Sequence, residues 1–142
     1  MTNITIDKLF KKPSLLASAK HFRLELQNDT LYVLEMSKAR PNINLKGNSL
    51  NGLIANKVLD QYEIKFEKQY ESSLQELQTV GIDNFINNKN CFLIRNLSKQ
   101  NFQIENKDKT CIISVNGKKI KLFAVTPYNF SQLKEISTQI YS

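Results

Sequence analysis

The chain has 142 residues, 41% of them hydrophobic and 23% charged, which is enough for one hydrophobic core and unlike the composition of a disordered protein. Its 20 basic and 13 acidic residues give a formal net charge of +7, so anionic partners are favoured over cationic ones. Only three of the basic residues are arginines, and a lysine excess of this kind is also typical of AT-rich coding DNA. The charge therefore permits nucleic-acid binding without identifying it.

The elements predicted before residue 40 are two short helices and a pair of strands. Helices are expected at 4–10 and 14–20, because Pro13 interrupts the chain between them. Apolar and polar residues then alternate at 21–27 and again at 31–36, which indicates two antiparallel strands joined by a turn. A loop rich in Asn, Gly and Pro follows the second strand.

The middle of the chain is predicted to hold two helices separated by a strand. Ser49 is a suitable N-cap for a helix that ends near Gln61. The segment 62–67 then alternates cleanly between apolar and polar residues, as a strand would. From Tyr70 onward the apolar residues return to helical spacing, and this helix should end at Gly81.

The last third of the chain is predicted to be mainly strands. A turn or short helix is expected at 82–90, a buried strand at 91–96 and an outer strand at 102–105. Asn116-Gly117 then stands between two alternating segments, and both positions of a two-residue hairpin turn favour these residue types. This hairpin is the best-defined feature of the sequence.

The fold class expected is α+β, with antiparallel sheet or sheets packed by three to five short helices in the rough order ααββαβαββββα. The last helix should be capped by Asn129 or Ser131. Residues 1–142 are expected to form a single domain, with at most two lobes and a seam near 81–90. The order strand, strand, helix, strand over residues 21–66 resembles the KH-like modules of replication proteins, such as the C-terminal part of clamp-loader tau subunits. The resemblance covers less than half of the chain and rests on apolar spacing.

One face of the predicted hairpin is apolar, and the other combines Lys119, Lys121 and Phe123, because side chains alternate along a strand. Such a face can bind single-stranded nucleic acid, since lysines neutralise phosphates while a base stacks on the ring. The alternative is a solvated face whose lysines oppose aggregation, with Phe123 packed under the last helix. The predicted nucleic-acid-binding residues are all basic or aromatic. They are Arg95, Lys107, Lys109, Lys118, Lys119, Lys121 and Phe123.

Catalytic chemistry is not favoured by the sequence, although two sets of residues contain side chains that nucleases use. His21 is the only histidine, and a lone exposed histidine on a strand is usually structural. As a general base it would act with Lys119 or Lys121 on the phosphate and Thr126 or Tyr128 as the orienting group, which are residue types of small metal-independent ribonuclease toxins. Asp60 and Glu63 resemble the carboxylates of metal-dependent nucleases, but their spacing favours a structural origin. No metal or cofactor is expected.

The function predicted is that of a small, basic, non-enzymatic binding or accessory protein in the cytoplasm. Cys91 and Cys111 fit neither a disulfide framework nor a metal site, and no apolar run has the length of a membrane span. The expected partner is nucleic acid or a nucleic-acid-handling complex. One alternative is a protein-directed inhibitor, immunity-type or phage-type accessory protein that binds an anionic protein surface, and the second is the ribonuclease. The oligomeric state is left open.

Overall fold

The computed structural model describes residues 3–14, 18–39 and 52–141. The middle of the helix expected at 14–20, the predicted loop after residue 39 and the predicted N-cap Ser49 lie outside these ranges. The elements in chain order are β1 Ile4–Lys11, β2 Ala19–Gln27, β3 Thr30–Ala39, α1 Gly52–Val80, α2 Ile82–Asn88, β4 Phe92–Ile94, β5 Phe102–Glu105, β6 Thr110–Val115, β7 Lys118–Phe123 and α3 Pro127–Tyr141.

The predicted class is confirmed, because the described residues form one antiparallel sheet of seven strands together with three helices. The strand order across the sheet is β4-β3-β2-β1-β7-β6-β5. Strands from both halves of the chain therefore share one sheet, joined where Phe10 of β1 pairs with Phe123 of β7. The element order differs from the prediction at the N-terminus and in the middle of the chain.

The prediction of a helix at 4–10 is wrong, since these residues belong to β1. The register of β1 against β2 shifts between Ile6 and Leu9, and Lys8 within the shift has a φ of 59°. This irregularity breaks the period of two and leaves apolar residues at an uneven spacing that resembles a helical one. The end of the helix expected at 14–20 is wrong as well, because the chain has already entered β2 there.

The strand expected at 62–67 is also wrong, because α1 continues through it as a single helix of 29 residues. The buried side chains of α1 recur three and four residues apart, which is the spacing of one helix face. They are Phe66, Tyr70, Ser73 and Leu77. Ile64, which looked like part of an alternating core face, is 55% exposed. The resemblance to KH-like modules required a strand in this segment, so the structure does not support it.

The end of α1 was predicted correctly. Gly81 has a φ of 82°, and its N–H donates to the carbonyl oxygen of Leu77 at 3.0 Å. Glycine reaches this left-handed conformation without steric cost, so it ends the helix as the C′ residue. The short helix α2 then begins at once with Ile82.

The start of α3 differs from the prediction by a few residues. Neither Asn129 nor Ser131 is the cap; instead, the Thr126 hydroxyl accepts a hydrogen bond from the Asn129 N–H at 3.1 Å. Pro127 takes the first helical position, where its missing N–H and fixed φ cost nothing. The predicted apolar face is confirmed, since Leu133 and Ile136 are fully buried.

The larger part of the core lies on the face of the sheet that packs against α3. Its members come from all seven strands or their flanking residues and from α3. The helix also covers the part of β1 that β7 does not pair: the side-chain amides of Asn129 and Gln132 donate to the carbonyl oxygens of Asp7 and Thr5, at 3.1 and 2.8 Å. A covered edge cannot pair with another chain, so α3 both fills the core and protects the sheet.

Helices α1 and α2 pack on the opposite face, over the other end of the sheet. A second, smaller cluster of buried residues forms there around Leu34, Met36 and Phe85. The face that α1 leaves uncovered includes the outer side of the β6–β7 hairpin. Because the helices cover only part of this face, charged side chains on the uncovered strands remain accessible to a partner.

Candidate anion-binding site

The hairpin has the predicted register, with Val115 opposite Lys118 and Ser114 opposite Lys119. Asn116 and Gly117 have φ values of 50° and 79°, as a two-residue hairpin turn requires. Most of the apolar side of the hairpin is buried, and Val115 and Ile120 beside the turn are partly exposed. Lys119, Lys121 and Phe123 share the other face by alternation, whereas Lys118 lies on the same side as the core residues.

Two residues of the predicted binding face, Lys121 and Phe123, already interact with other side chains of the protein. The Lys121 ammonium lies 3.2 Å from a Glu105 carboxylate oxygen and 3.4 Å from one of Asp108. The hydrogen bond to Glu105 is the main reason that the pKa of Lys121 is raised. Phe123 is half-buried, and the Lys12 ammonium lies 4.4 Å from its ring centroid. A base therefore has no open ring on which to stack at this position.

The remaining predicted basic residues do not gather at one place. Lys107 and Lys109 are exposed in the turn between β5 and β6, and Lys109 has a φ of 54°. Arg95 is exposed just after β4. Because β4 and β5 occupy opposite ends of the strand order, the sequence proximity of these residues does not reflect neighbouring strands.

The candidate catalytic histidine is not the exposed strand residue that the sequence suggested. The His21 ring stacks on Phe66, with centroids 4.0 Å apart, and meets Phe10 and Tyr70 edge-on. Burial lowers the pKa of His21, Lys8 lowers it further and Glu67 opposes the shift.

The buried Nδ1 atom of His21 has no hydrogen-bond partner among the described residues, so no hydrogen bond at this nitrogen sets the tautomer that proton transfer would need. Of the other two candidates, Thr126 is the cap of α3 and Tyr128 is 71% exposed. The geometry around His21 is that of an aromatic contact under α1 rather than of a general base.

A row of three lysines crosses β1, β2 and β3 at one side of the sheet, where β1 and β3 end and β2 begins. Lys11 pairs with Lys20, and Lys20 pairs with Lys38. Directly opposite side chains on adjacent strands project from the same face, and like charges in this position destabilise a sheet. The only ion pair that this lysine ladder makes with the described residues joins Lys20 to Glu35 at 2.6 Å.

A cleft of about 710 Å³ opens beside the lysine ladder, between β4 and the tip of the β6–β7 hairpin. Four of the residues that line it are lysines and five are apolar. They are Lys11, Lys20, Lys118 and Lys119, and Phe22, Phe92, Leu93, Val115 and Ile120. This basic cleft therefore combines an apolar floor with a cationic rim.

The basic cleft exists because the sheet curls around its core. Four strands lie between β4 and β6, which in a flat sheet would place them roughly 24 Å apart. Both nevertheless line the same cavity. Lys11, Lys118 and Lys119 form no salt bridge with any carboxylate of the described residues, so their charges are available to an anion.

The sequence predicted Lys118 and Lys119 but missed the lysine ladder. The helices expected at 4–10 and 14–20 hid the strands that bring Lys11 and Lys20 opposite each other. The signal that was present is a lysine at the end of β1, at the start of β2 and near the end of β3, but it becomes visible only once the β1 irregularity is known.

The comparisons with known proteins give no family or relative for this chain: no family model, curated protein or solved structure matches it. Within the part of the chain that the structure describes, none of the helices is both long and apolar enough to span a membrane. The same residues contain no group of three His, Cys, Asp or Glu side chains placed to hold a metal ion.

Proposed function

We propose that the protein is a non-enzymatic binding protein whose partner is nucleic acid, held through phosphates in the basic cleft. The observation that carries the proposal is the lysine ladder beside the cleft. Glu35 already offsets the charge of the central Lys20, so Lys11 and Lys38 on either side of it carry the charges that an anion lying across the ladder would offset. A polyanion with regularly spaced charges suits a row of cations better than a single small anion does.

The apolar floor of the cleft favours nucleic acid over an acidic protein surface. Phe22 is buried, whereas Phe92, Val115 and Ile120 are partly exposed toward the cavity. A nucleotide offers an apolar base face together with its phosphate, and proteins that bind single strands combine a cationic groove with such surfaces. An acidic side chain of a protein partner carries a negative charge but no apolar ring that could lie on the floor of the cleft.

Salt dependence of binding to a labelled single-stranded oligonucleotide tests this proposal. Affinity measured by fluorescence anisotropy should fall steeply between about 50 and 200 mM salt, because contacts to phosphate release condensed counterions. Replacing both Lys118 and Lys119 by Gln should weaken binding and flatten the slope of log affinity against log salt by about 1.4, at roughly 0.7 per lost contact.

The matched control is the double replacement of Lys65 and Lys68 by Gln. Both are exposed on α1, so the change in net charge is identical but lies away from the cleft lining. Equal losses of affinity in the two double variants would mean that only net charge matters, which would contradict the proposed site. A tight complex with a host protein that survives high salt, without any affinity for oligonucleotides, would favour the protein-directed alternative instead.

A further inference from the structure

A second cavity, of about 590 Å³, lies at the other end of the lysine ladder, between the end of β3, α1 and the segment that joins α2 to β4. Its lining contains four carboxamide side chains. They are Gln69, Asn87, Asn88 and Asn90. Asn90 lines the basic cleft as well, and Lys38 of the ladder lines this second cavity. The amide pocket, as we name it, therefore adjoins the basic cleft, and Asn90 belongs to the lining of both.

The amide pocket contains a buried hydroxyl that lacks a partner. Ser37 is 2% exposed, and its Oγ atom forms no hydrogen bond with the described residues. A buried polar group without a partner is costly, so such groups in native proteins call for an explanation such as a ligand. The backbone groups of β3 on either side of Ser37 do have partners. The Ser73 hydroxyl donates to the Met36 carbonyl oxygen, and the Gln69 side chain accepts from the Lys38 N–H, both at 2.5 Å.

The unused polar groups of the pocket suit a nucleobase. A carboxamide presents a donor and an acceptor side by side, and Asn or Gln pairs in this way with the N6 and N7 atoms of adenine. The side chains of Gln69 and Asn88 are partly used, since each makes one hydrogen bond within the protein. Asn87 and Asn90 are both exposed and make no side-chain hydrogen bond with the described residues, but Asn90 also lines the basic cleft, so Asn87 is the free carboxamide that belongs to this pocket alone.

The dimensions of the pocket select a single strand. Cavities that hold small organic ligands measure roughly 300 to 1,000 Å³, and the amide pocket falls inside this range. A base must leave its stack to enter such a cavity, which a single strand does far more readily than a duplex. The adjacent lysine ladder extends over roughly 10 Å, at about 4.8 Å per strand, and gives the flanking phosphates a place to bind.

We propose that the amide pocket takes an adenine base from a single strand whose phosphates lie on the lysine ladder. The inference rests on the proposed function and adds a preference for one base to it. Correct pairing by one carboxamide should favour adenine over a pyrimidine by about 5- to 150-fold. Asn87 would be the main contact of the base, and Ser37 would complete its hydrogen bonding.

The test compares three labelled single-stranded DNA oligonucleotides of equal length, containing only dA, only dT or only dC, on the full chain at one salt concentration. The wild type should bind the dA oligonucleotide most tightly. Asn87→Ala should remove this preference while the salt dependence remains, because the lysines are untouched. Asn106→Ala is the matched control, since Asn106 is an exposed asparagine outside the pocket lining, and it should keep the preference.

Ser37→Ala supplies a second readout that does not depend on Asn87. Removal of an unpartnered hydroxyl should leave the ligand-free protein as stable as the wild type or more so, and should weaken binding of the dA oligonucleotide alone. Equal affinity for all three oligonucleotides, or an unchanged preference in Asn87→Ala, would overturn the adenine pocket and leave the proposed function intact. Absence of binding to any of them at low salt would overturn both.

Discussion

The two faces of the sheet are held by different kinds of interaction. Under α3 the contact is almost entirely apolar and joins 17 buried hydrophobic residues into one cluster, whereas the cluster under α1 and α2 has five among the described residues. The contact of α1 with β1 and β2 is polar and aromatic instead: Tyr70 bonds to Asp7, and His21 stacks on Phe66. Within the sheet, Arg23 of β2 pairs with the same Asp7 of β1. Apolar burial supplies most of the stability of a domain. We infer that α3 stabilises the sheet and that directional bonds fix the position of α1.

Substitution of leucines on the two faces should give the largest difference between them. Leu133→Ala on α3 removes a fully buried side chain from the large cluster and should cost about 2–5 kcal/mol of unfolding free energy. Leu77→Ala on α1 removes a side chain that is 9% exposed at the rim of the small cluster, so it should cost less. Denaturant unfolding followed by circular dichroism measures both. Equal losses, or a larger loss for Leu77→Ala, would contradict the assignment of stability to the α3 face.

The sequence anticipated elements whose signals are local. The β6–β7 hairpin was predicted in full because its turn residues and its alternation agree, and the end of α1 was predicted because Gly81 reaches a conformation that other residues avoid. Both signals lie within a few residues of the feature that they specify. The α3 face was also predictable, since its apolar residues keep one helical period.

Elements that depend on distant contacts were missed. Alternation at 62–67 is real in the sequence, but the packing of Phe66 and Tyr70 against the sheet makes this segment a helix. The β1 strand was hidden because the shift near Lys8 breaks the alternation, and its conformation is fixed by a contact with Tyr70, 62 residues away. The lysine ladder could not be found without these strands, so the candidate site was predicted only at the hairpin.

Loss of the Tyr70 hydroxyl should have an intermediate effect. This hydroxyl donates to Asp7 at 2.7 Å and accepts from the Lys8 N–H at 2.9 Å, at the residue whose φ is positive. Burial and the bond to Asp7 raise the pKa of Tyr70, so it stays protonated and able to donate. Tyr70→Phe leaves the Lys8 N–H without this acceptor and should cost about 1–3 kcal/mol.

Tyr128→Phe is the matched control for Tyr70→Phe. Tyr128 is 71% exposed, so loss of its hydroxyl should change stability by less than about 0.5 kcal/mol. Backbone amide exchange gives a more specific readout, because Tyr70→Phe should speed exchange around the β1 irregularity while the β6–β7 hairpin keeps its protection. Uniform acceleration over the whole sheet would mean that Tyr70 contributes only to global stability and does not fix β1.

The smallest expected effect is a pH dependence that comes from His21. Burial holds its folded-state pKa below the ordinary value of 6.5, so the unfolded chain binds this proton more readily than the folded one. The neutral ring then contributes stability that is fully present above pH 6.5 and is lost as the pH falls through the lowered pKa. The contact of α1 with the sheet should therefore weaken on acidification. The α3 face contains no histidine, so its contact should not weaken in this way.

His21→Phe isolates this contribution because it keeps an aromatic ring against Phe66 and removes the titration. Unfolding free energies of both proteins, measured between about pH 7.5 and 5.5, should diverge toward lower pH, with the wild type losing more stability. His21 is the only histidine in the chain, so the difference between the two curves reports on the ionisation of this ring together with its coupling to Glu67 and Lys8. Parallel curves would show that His21 has the same proton affinity folded and unfolded, and the polar character of the α1 face would then have to rest on Asp7, Arg23 and Tyr70.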